Sequence, residues 1–310
     1  MSRINVLYCF DDKFCKLATV SVYSLLKTKN LETAAYIYCM VPRGTSRCGK
    51  RKLRKTIGQF PGCNLIWREV RKKENPFIKF DYKRWSPVIF YRLFAHRVFP
   101  DIDRILYLDS DTLIYDDLTE MYNMDIGDNV LAGAIDCALT DNLNDRMGQY
   151  VRKFKEKYVK SNFYINSGVL LINLQKRCEL DSLSEPIDSS GFLCPDQDLI
   201  NMKFDGKIAR LSLKYNFTYS DVPKDYDPED AAAARKKYSI YHFYTRKPFF
   251  FNGEHRELYD SFIERCHDLG WGQATFLNNE KKYNIPQTHI PCVKLNGNRI
   301  KLFGITIARL

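Results

Sequence analysis

The strongest constraint on this chain is a set of short, uninterrupted apolar runs, several of which stop abruptly at acids. Arg104–Leu108 (RILYL) leads straight into Asp109-Ser110-Asp111, Ile4–Phe10 (INVLYCF) into Asp11-Asp12, and Val130–Ile135 (VLAGAI) into Asp136. Ala35–Val41 (AYIYCMV), Leu65–Val70, Phe163–Leu174 (FYINSGVLLINL) and Tyr238–Phe243 (YSIYHF) have the same character, and the last carries His242. Runs this short, bounded and apolar suit strands covered on both faces. Between them lie helical patterns. Phe14–Leu26 sets Leu17, Ala18, Val22 and Leu25 on one face, and Ser86-Pro87 supplies a cap and a first-turn proline ahead of Ile89, Phe90, Leu93 and Phe94. Asn144–Lys160, Pro195–Phe204 and Glu254–Asp268 complete the helices. Strands alternating with helices predict one α/β domain with a mostly parallel central sheet.

Composition narrows the class. The chain has 310 residues and 14% aromatics, which marks a folded protein with a sizeable core. No stretch approaches the roughly 18 consecutive apolar residues of a membrane span. Asp11 and Asp12 come too early for a signal-peptide apolar segment, so a cytoplasmic location is expected. The ten cysteines form no CxxC pair and no zinc spacing with histidine, which favours reduced thiols. The net charge of +11 is uneven. Arg43 to Lys73 holds eleven Lys/Arg against the single acid Glu69, and Lys281 to Leu310 holds six and no acid. Nucleic acid is one polyanion such patches could meet, but no nucleic-acid-binding motif accompanies them. The second patch interleaves its charges with Ile, Leu and Phe (KLNGNRIKLFGITIARL), a pattern that suits an anionic membrane surface.

Ligands of open α/β sheets bind beyond the carboxyl ends of the strands, where these acids collect. Two carboxylates at i and i+2 after a buried strand can converge on a hard cation such as Mg²⁺ or Mn²⁺ when the backbone turns. A haloacid-dehalogenase-like phosphatase also places DxD at a strand end. Its motif wants Thr or Val two residues past the second Asp, where this chain has Leu113, and it normally stands on an early strand.

LYLDSDTLIYDDL (Leu106–Leu118) resembles the core motif of the family 8 retaining glycosyltransferases, which include bacterial lipopolysaccharide galactosyl- and glucosyltransferases and glycogenin. CFDDKF (Cys9–Phe14) is similar to that family's nucleotide-binding turn, and FYRLF (Phe90–Phe94) to its Tyr-Arg-Leu helix. FYINSGVLLINL resembles its Asn-[Ser/Ala]-Gly-Val segment, PDQDLIN (Pro195–Asn201) its Asp-Gln-Asp motif, and HFYTRKPF (His242–Phe249) its His…Lys-Pro-[Trp/Phe] signature. The order is the family's own from Ile4 to Phe249. The last element departs from it: His242 and Lys247 stand one residue closer than usual, and a glycine is missing.

The resemblance implies a GT-A fold over residues 1–270, with 271–310 as a basic, apolar tail of less regular structure. It implies a UDP-hexose donor (glucose or galactose) held through Mn²⁺ or Mg²⁺ on Asp109, Asp111 and His242. Cys9, Asp11 and Asp12 would lie at the nucleoside, Ser110 beside the metal motif, and Arg92 and Lys247 at the phosphates or donor sugar. Asn166, Ser167, Asp196 and Gln197 would hold sugar hydroxyls, with Gln197 beside the anomeric face. Asp198 is the candidate nucleophile for a double displacement, whereas a glutamine beside the anomeric carbon fits a front-face route better. Asp136 would face the acceptor, a glycan or lipid-linked saccharide of the bacterial surface. A self-glucosylating, glycogenin-like protein is the alternative within the family. The expected location is the inner face of the membrane, peripherally bound.

Overall fold

The computed structural model describes residues 2–80, 85–137, 146–161, 163–218, 222, 226–244 and 256–271, together with the backbone of 293–296, 299–302 and 305–309. Two compact units divide the chain, Met1–Thr245 and Arg246–Leu310.

The first unit is built on a seven-stranded sheet. In chain order come β1 (Ser2–Cys9), α1 (Cys15–Thr28), β2 (Thr33–Pro42), α2 (Arg47–Ile57) and β3 (Cys63–Val70). A 3₁₀ segment, Pro87–Phe94, leads into the short α3 (Ala95–Val98), followed by β4 (Arg104–Leu108), β5 (Thr112–Ile114), α4 (Thr119–Asn123) and β6 (Leu131–Ile135). Then follow α5 (Arg146–Tyr158), β7 (Ile165–Asn173), α6 (Arg177–Ser182), α7 (Pro195–Lys203), β8 (Ile208–Arg210), α8 (Pro228–Lys236) and β9 (Ile240–His242).

The sheet order is β3-β2-β1-β4-β7-β6-β8. Only β7 breaks the parallel arrangement, running antiparallel to both β4 and β6. The expected mostly parallel sheet is therefore what forms. Its central strands are apolar because helices cover both faces: Ile4, Val6, Leu7, Ile105, Leu106, Val169 and Leu170 are all fully buried.

Two differences from the sequence reading bear on the site. Pro87–Phe94 is 3₁₀ and not α, although Ser86 caps it through Val88 N–H as expected. Val88, Phe90, Tyr91, Arg92, Leu93 and Phe94 are all buried there, so the apolar spacing marks a buried segment without distinguishing a 3₁₀ from an α period. The second difference is a separate two-stranded ladder, β5 with β9, which pairs Thr112 with His242. β9 falls inside the expected strand Tyr238–Phe243, whereas β5, three residues long, carries too little pattern to announce itself.

The second unit contains α9 (Arg256–Asp268) and three strands, β10 (Val293–Asn296), β11 (Arg299–Leu302) and β12 (Ile305–Arg309), paired antiparallel in sequence order. The tail expected from residue 271 falls inside this unit. Among the described residues, no helix is long and apolar enough to cross a membrane.

Candidate active site

The site begins where β4 ends. The chain delivers Asp109, turns through Ser110, and enters β5 directly after Asp111. Thr112 Oγ1 donates to Asp109 O (2.9 Å), closing the turn, and itself hydrogen-bonds Ser21 Oγ of α1 at 2.7 Å. Phe243 N–H donates to Asp111 O (2.9 Å), which pins the β9 end beside the acids. As a result, ligand atoms of Asp109, Asp111 and His242 all lie within 4.8 Å of one another. His242 Nε2 is 3.6 Å from Asp109 Oδ2 and 3.5 Å from Asp111 Oδ1.

The residues present fit a divalent cation. His242 Nε2 is buried with no hydrogen-bond partner, while Nδ1 lies 2.9 Å from Asn216 Oδ1. Two carboxylates thus converge on an imidazole nitrogen that no protein donor satisfies. Gly168 keeps the space open: a Cβ there would stand 2.1 Å from His242 Cε1 and 2.7 Å from Asp109 Oδ2. Ser110 Oγ is likewise buried and unpartnered. One nitrogen and several oxygens form a donor set that borderline-hard divalent ions accept.

Arg92 reaches the back of this cluster from the 3₁₀ segment. Its guanidinium is buried and donates to Tyr107 OH (2.6 Å), Asp109 Oδ1 (3.1 Å), Ser167 Oγ (3.0 Å) and Asp196 Oδ2. Asp109 therefore faces Arg92 and Tyr107 with one oxygen and His242 with the other.

The opposite wall is α7 docked on β7. Asn201 holds Ile165 at both backbone groups, accepting from its N–H (2.7 Å) and donating to its carbonyl (3.0 Å). That clamp sets Gln197 against the Asn-Ser-Gly stretch: Ser167 N–H donates to Gln197 Oε1 (2.9 Å), and Gln197 Nε2 donates to Asp136 Oδ2 (2.9 Å) and Tyr164 OH (3.2 Å). Asp136 is fully buried and also accepts from Asn166 Nδ2 (3.0 Å) and Tyr244 OH (3.0 Å). Asp198 is bound differently. Tyr164 OH donates to one oxygen (2.6 Å), and Tyr150 OH (2.7 Å), Leu193 N–H (3.1 Å) and Cys194 N–H (2.9 Å) donate to the other. Burial pushes the Tyr150 and Tyr164 phenols up, so both stay protonated donors, and burial also raises the Asp198 carboxyl above the usual aspartate range.

Asp11 and Asp12 stand past β1, the neighbour of β4 in the sheet. Asp11 accepts from Lys13 N–H (3.0 Å), and Asp12 accepts from Ser46 N–H (2.9 Å), the residue that caps α2. Cys9 is buried, and burial pushes its thiol well up, so it offers a wall and not a nucleophile. Lys247 lies outside the described residues. The sequence reading thus meets a structure that groups Arg92, Asp109, Asp111, Asn166, Ser167, Asp196, Gln197 and His242. It did not single out Asn216, Tyr107, Tyr150, Tyr164, Asn201 or Gly168 for a role. Tyr107, Tyr164, Gly168 and Asn201 stood within recognised motifs without a role of their own, whereas Tyr150 and Asn216 lie outside every motif and have no spacing that distinguishes them.

Residues 5–251 match the family described as glycosyl transferase family 8. A lipopolysaccharide 1,2-glucosyltransferase of Escherichia coli is 28% identical over 221 residues, covering 68% of this chain and 58% of that protein. Glycosyltransferase GlyE of Streptococcus pneumoniae serotype 4 is 32% identical over 145 residues, covering 43% of this chain and 30% of its own length. The chain spans less than two thirds of either relative. Among solved structures, the galactosyltransferase LgtC with donor and acceptor sugar analogues superposes with a TM-score of 0.69 at 21% identity, covering 89% of this chain and 99% of that one, a likeness of fold.

Proposed function

Since this chain belongs to glycosyl transferase family 8, we propose that it moves glucose or galactose from a UDP-sugar to a glycan acceptor with retention of configuration. The observation that carries the reading is the convergence of Asp109, Asp111 and the unpartnered Nε2 of His242. These three would hold the cation, Mn²⁺ in our reading because an imidazole ligand suits it better than Mg²⁺; bound there, it supplies Lewis-acid neutralisation of the departing diphosphate.

The chain's own residues account for the remaining tasks. Asp11 and Asp12, with Cys9 behind them, take the nucleoside end. Arg92, already aligned by Asp109 and Asp196, fixes the wall against which the donor sugar rests. Asn166, Ser167 and Asp196 offer hydroxyl partners to the sugar, Ser110 an uncommitted hydroxyl, and Lys247 a cation for the diphosphate. Gln197 positions the anomeric centre. Asp198, the carboxylate a double displacement would need, has both oxygens committed to four donors, which supports the front-face route with Asp198 as a positioning residue. Asp136 holds Gln197 and Asn166 in register on the acceptor side.

The lipopolysaccharide glucosyltransferase relative supports a bacterial surface glycan as acceptor. The acid-free segment 281–310 would then attach the enzyme peripherally at the inner membrane face, since each basic residue near an anionic surface is worth about 1 kcal/mol. UDP release from a panel of UDP-sugars, with Mn²⁺, with Mg²⁺ and in excess EDTA, tests the reading. One UDP-hexose should be cleaved in Mn²⁺ and none in EDTA; equal release in EDTA would sink the metal assignment.

A further inference from the structure

We infer that Asn216 is a positioning residue: it selects the imidazole tautomer that leaves His242 Nε2 free for a cation, and it couples that end of the site to Gln197. The inference rests on the family 8 reading of the trio as a metal centre.

The starting point is a donor that cannot be reversed. Gly168 N–H is backbone, and it donates to Asn166 Oδ1 at 2.9 Å, so the orientation of the Asn166 amide is fixed by a group with only one sense. Asn166 Oδ1 uses a second lone pair to accept from Asn216 Nδ2 at 3.0 Å. That turns the remaining atom of the Asn216 amide, Oδ1, toward His242 Nδ1 at 2.9 Å. An amide oxygen only accepts, so Nδ1 must carry the proton, and the lone pair of the neutral ring sits on Nε2. Nε2 is the atom directed at Asp109 and Asp111. A flipped Asn216 would set oxygen against oxygen at Asn166 and place the ring proton between the carboxylates.

The same order of amides runs the other way. With Asn166 Oδ1 engaged, its Nδ2 donates to Asp136 Oδ2 (3.0 Å), which also accepts from Gln197 Nε2 (2.9 Å). Gln197 Oε1 is thereby left to Ser167 N–H (2.9 Å), another backbone donor of fixed sense. From His242 to Gln197, every side-chain dipole has a single permitted direction.

The backbone holds Asn216 still. It follows a 3₁₀ turn, Leu213–Tyr215, with its own N–H on Leu213 O (3.0 Å). Its neighbour Phe217 is locked into the β9 strand, donating to Ile240 O (3.0 Å) and accepting from His242 N–H (2.9 Å). The side chain is 3% exposed, and both of the bonds described for it run to site residues. Outer partners that orient a metal-binding histidine typically change affinity by about 10–100-fold when removed.

The two bonds can be separated by substitution in the full-length protein. Asn216→Leu removes both. Asn216→Asp keeps an acceptor for Nδ1–H but loses the donor to Asn166. The readouts are the His242 tautomer in metal-free protein, from ¹H–¹⁵N correlation spectra of ¹⁵N-histidine-labelled samples, and Mn²⁺ affinity by EPR titration at one pH above the ordinary histidine range. Wild type should show the Nδ1–H tautomer. Asn216→Leu should lose that tautomer preference and bind Mn²⁺ about 10–100-fold more weakly. Asn216→Asp should keep both tautomer and Mn²⁺ affinity within about threefold, yet lose about tenfold in kcat because Asn166 is released. An Nε2–H tautomer in wild type overturns the inference, as does wild-type Mn²⁺ affinity in Asn216→Leu or equal weakening in Asn216→Asp. Should Asn216→Leu fail to fold, the wild-type tautomer and the Asn216→Asp pair still decide. If wild type shows Nδ1–H but binds no Mn²⁺, the metal reading fails and the tautomer assignment stands.

Discussion

Arginine occupies two contrasting settings in this molecule. Arg92, 4% exposed, donates to Tyr107, Asp109, Ser167 and Asp196, and its charge is met by two carboxylates in a low-dielectric interior. Along the α2–β3 edge, Arg68 and Arg71 are both about half exposed and share the single acid Glu74, while Lys50 takes Glu69. Charge is dense on the edge and cheap to lose there; inside, one cation is scarce and its removal leaves two anions stranded. The edge accounts for much of the net charge of +11, whereas Arg92 is a buried cation at the candidate site.

Substitutions can stretch this contrast, the most damaging first. Asp111→Asn, or Gly168→Ala with its Cβ driven into His242, should abolish cation binding and lower UDP-sugar turnover by at least about a hundredfold. Titration with Mn²⁺ alongside UDP release checks this; undiminished turnover in either variant would detach the trio from the reaction. Arg92→Met should cost about 3–5 kcal/mol in urea denaturation, since Asp109 and Asp196 lose their counter-charge in place. A loss under about 1 kcal/mol would mean that water reaches the knot, as it does on the surface.

Asp198→Asn comes next. It turns an NH₂ either toward the Tyr164 hydroxyl or toward the three donors on the other oxygen, and should cost about 1–3 kcal/mol. Burial raises the Asp198 pKa, so ionising it as pH climbs past the unfolded value toward the native one works against folding. That decline in stability should vanish in Asp198→Asn, and melts across the acid range would show it. Gln197→Ala should instead lower kcat far more than it weakens UDP binding, with Asp12→Ala doing the reverse. A Gln197 variant with normal kcat would remove that residue from the reacting centre. The mildest change is on the edge: Arg51, Arg54 and Lys55 together changed to glutamine should move stability by no more than about 0.5 kcal/mol. A larger loss would show that the exposed face of α2 does structural work.

Much of this arrangement was legible in the chain. β4 and its acids could be read because a central parallel strand must be apolar throughout and its carboxyl end must not be. Gln197 and Asp198 stood in a motif, and the proline at the start of α7 marks its first turn. The polar scaffold was hidden for a physical reason. Tyr150, Tyr164, Asn201 and Asn216 matter through partners 48, 34, 36 and 26 positions away, and hydrogen bonds over such separations leave no local period. The 3₁₀ path of Pro87–Phe94 was not legible either, because the apolar spacing of Ile89, Phe90, Leu93 and Phe94 marks a buried face without separating a 3₁₀ turn from an α-helix.

The β5–β9 ladder imposes an order of events on a newborn chain. Thr112 and His242 meet across well over a hundred intervening residues, so the third member of the trio arrives only after nearly all of the first unit has been synthesised. Closing so long a loop is entropically costly and belongs late in folding. A cation that binds only the finished site would draw the population toward that last step, by RT ln(1 + [M]/Kd). The ion would then act as a latch on maturation as well as an aid to chemistry, and chains cut short before Ile240 would be left with two carboxylates and nothing to close over them.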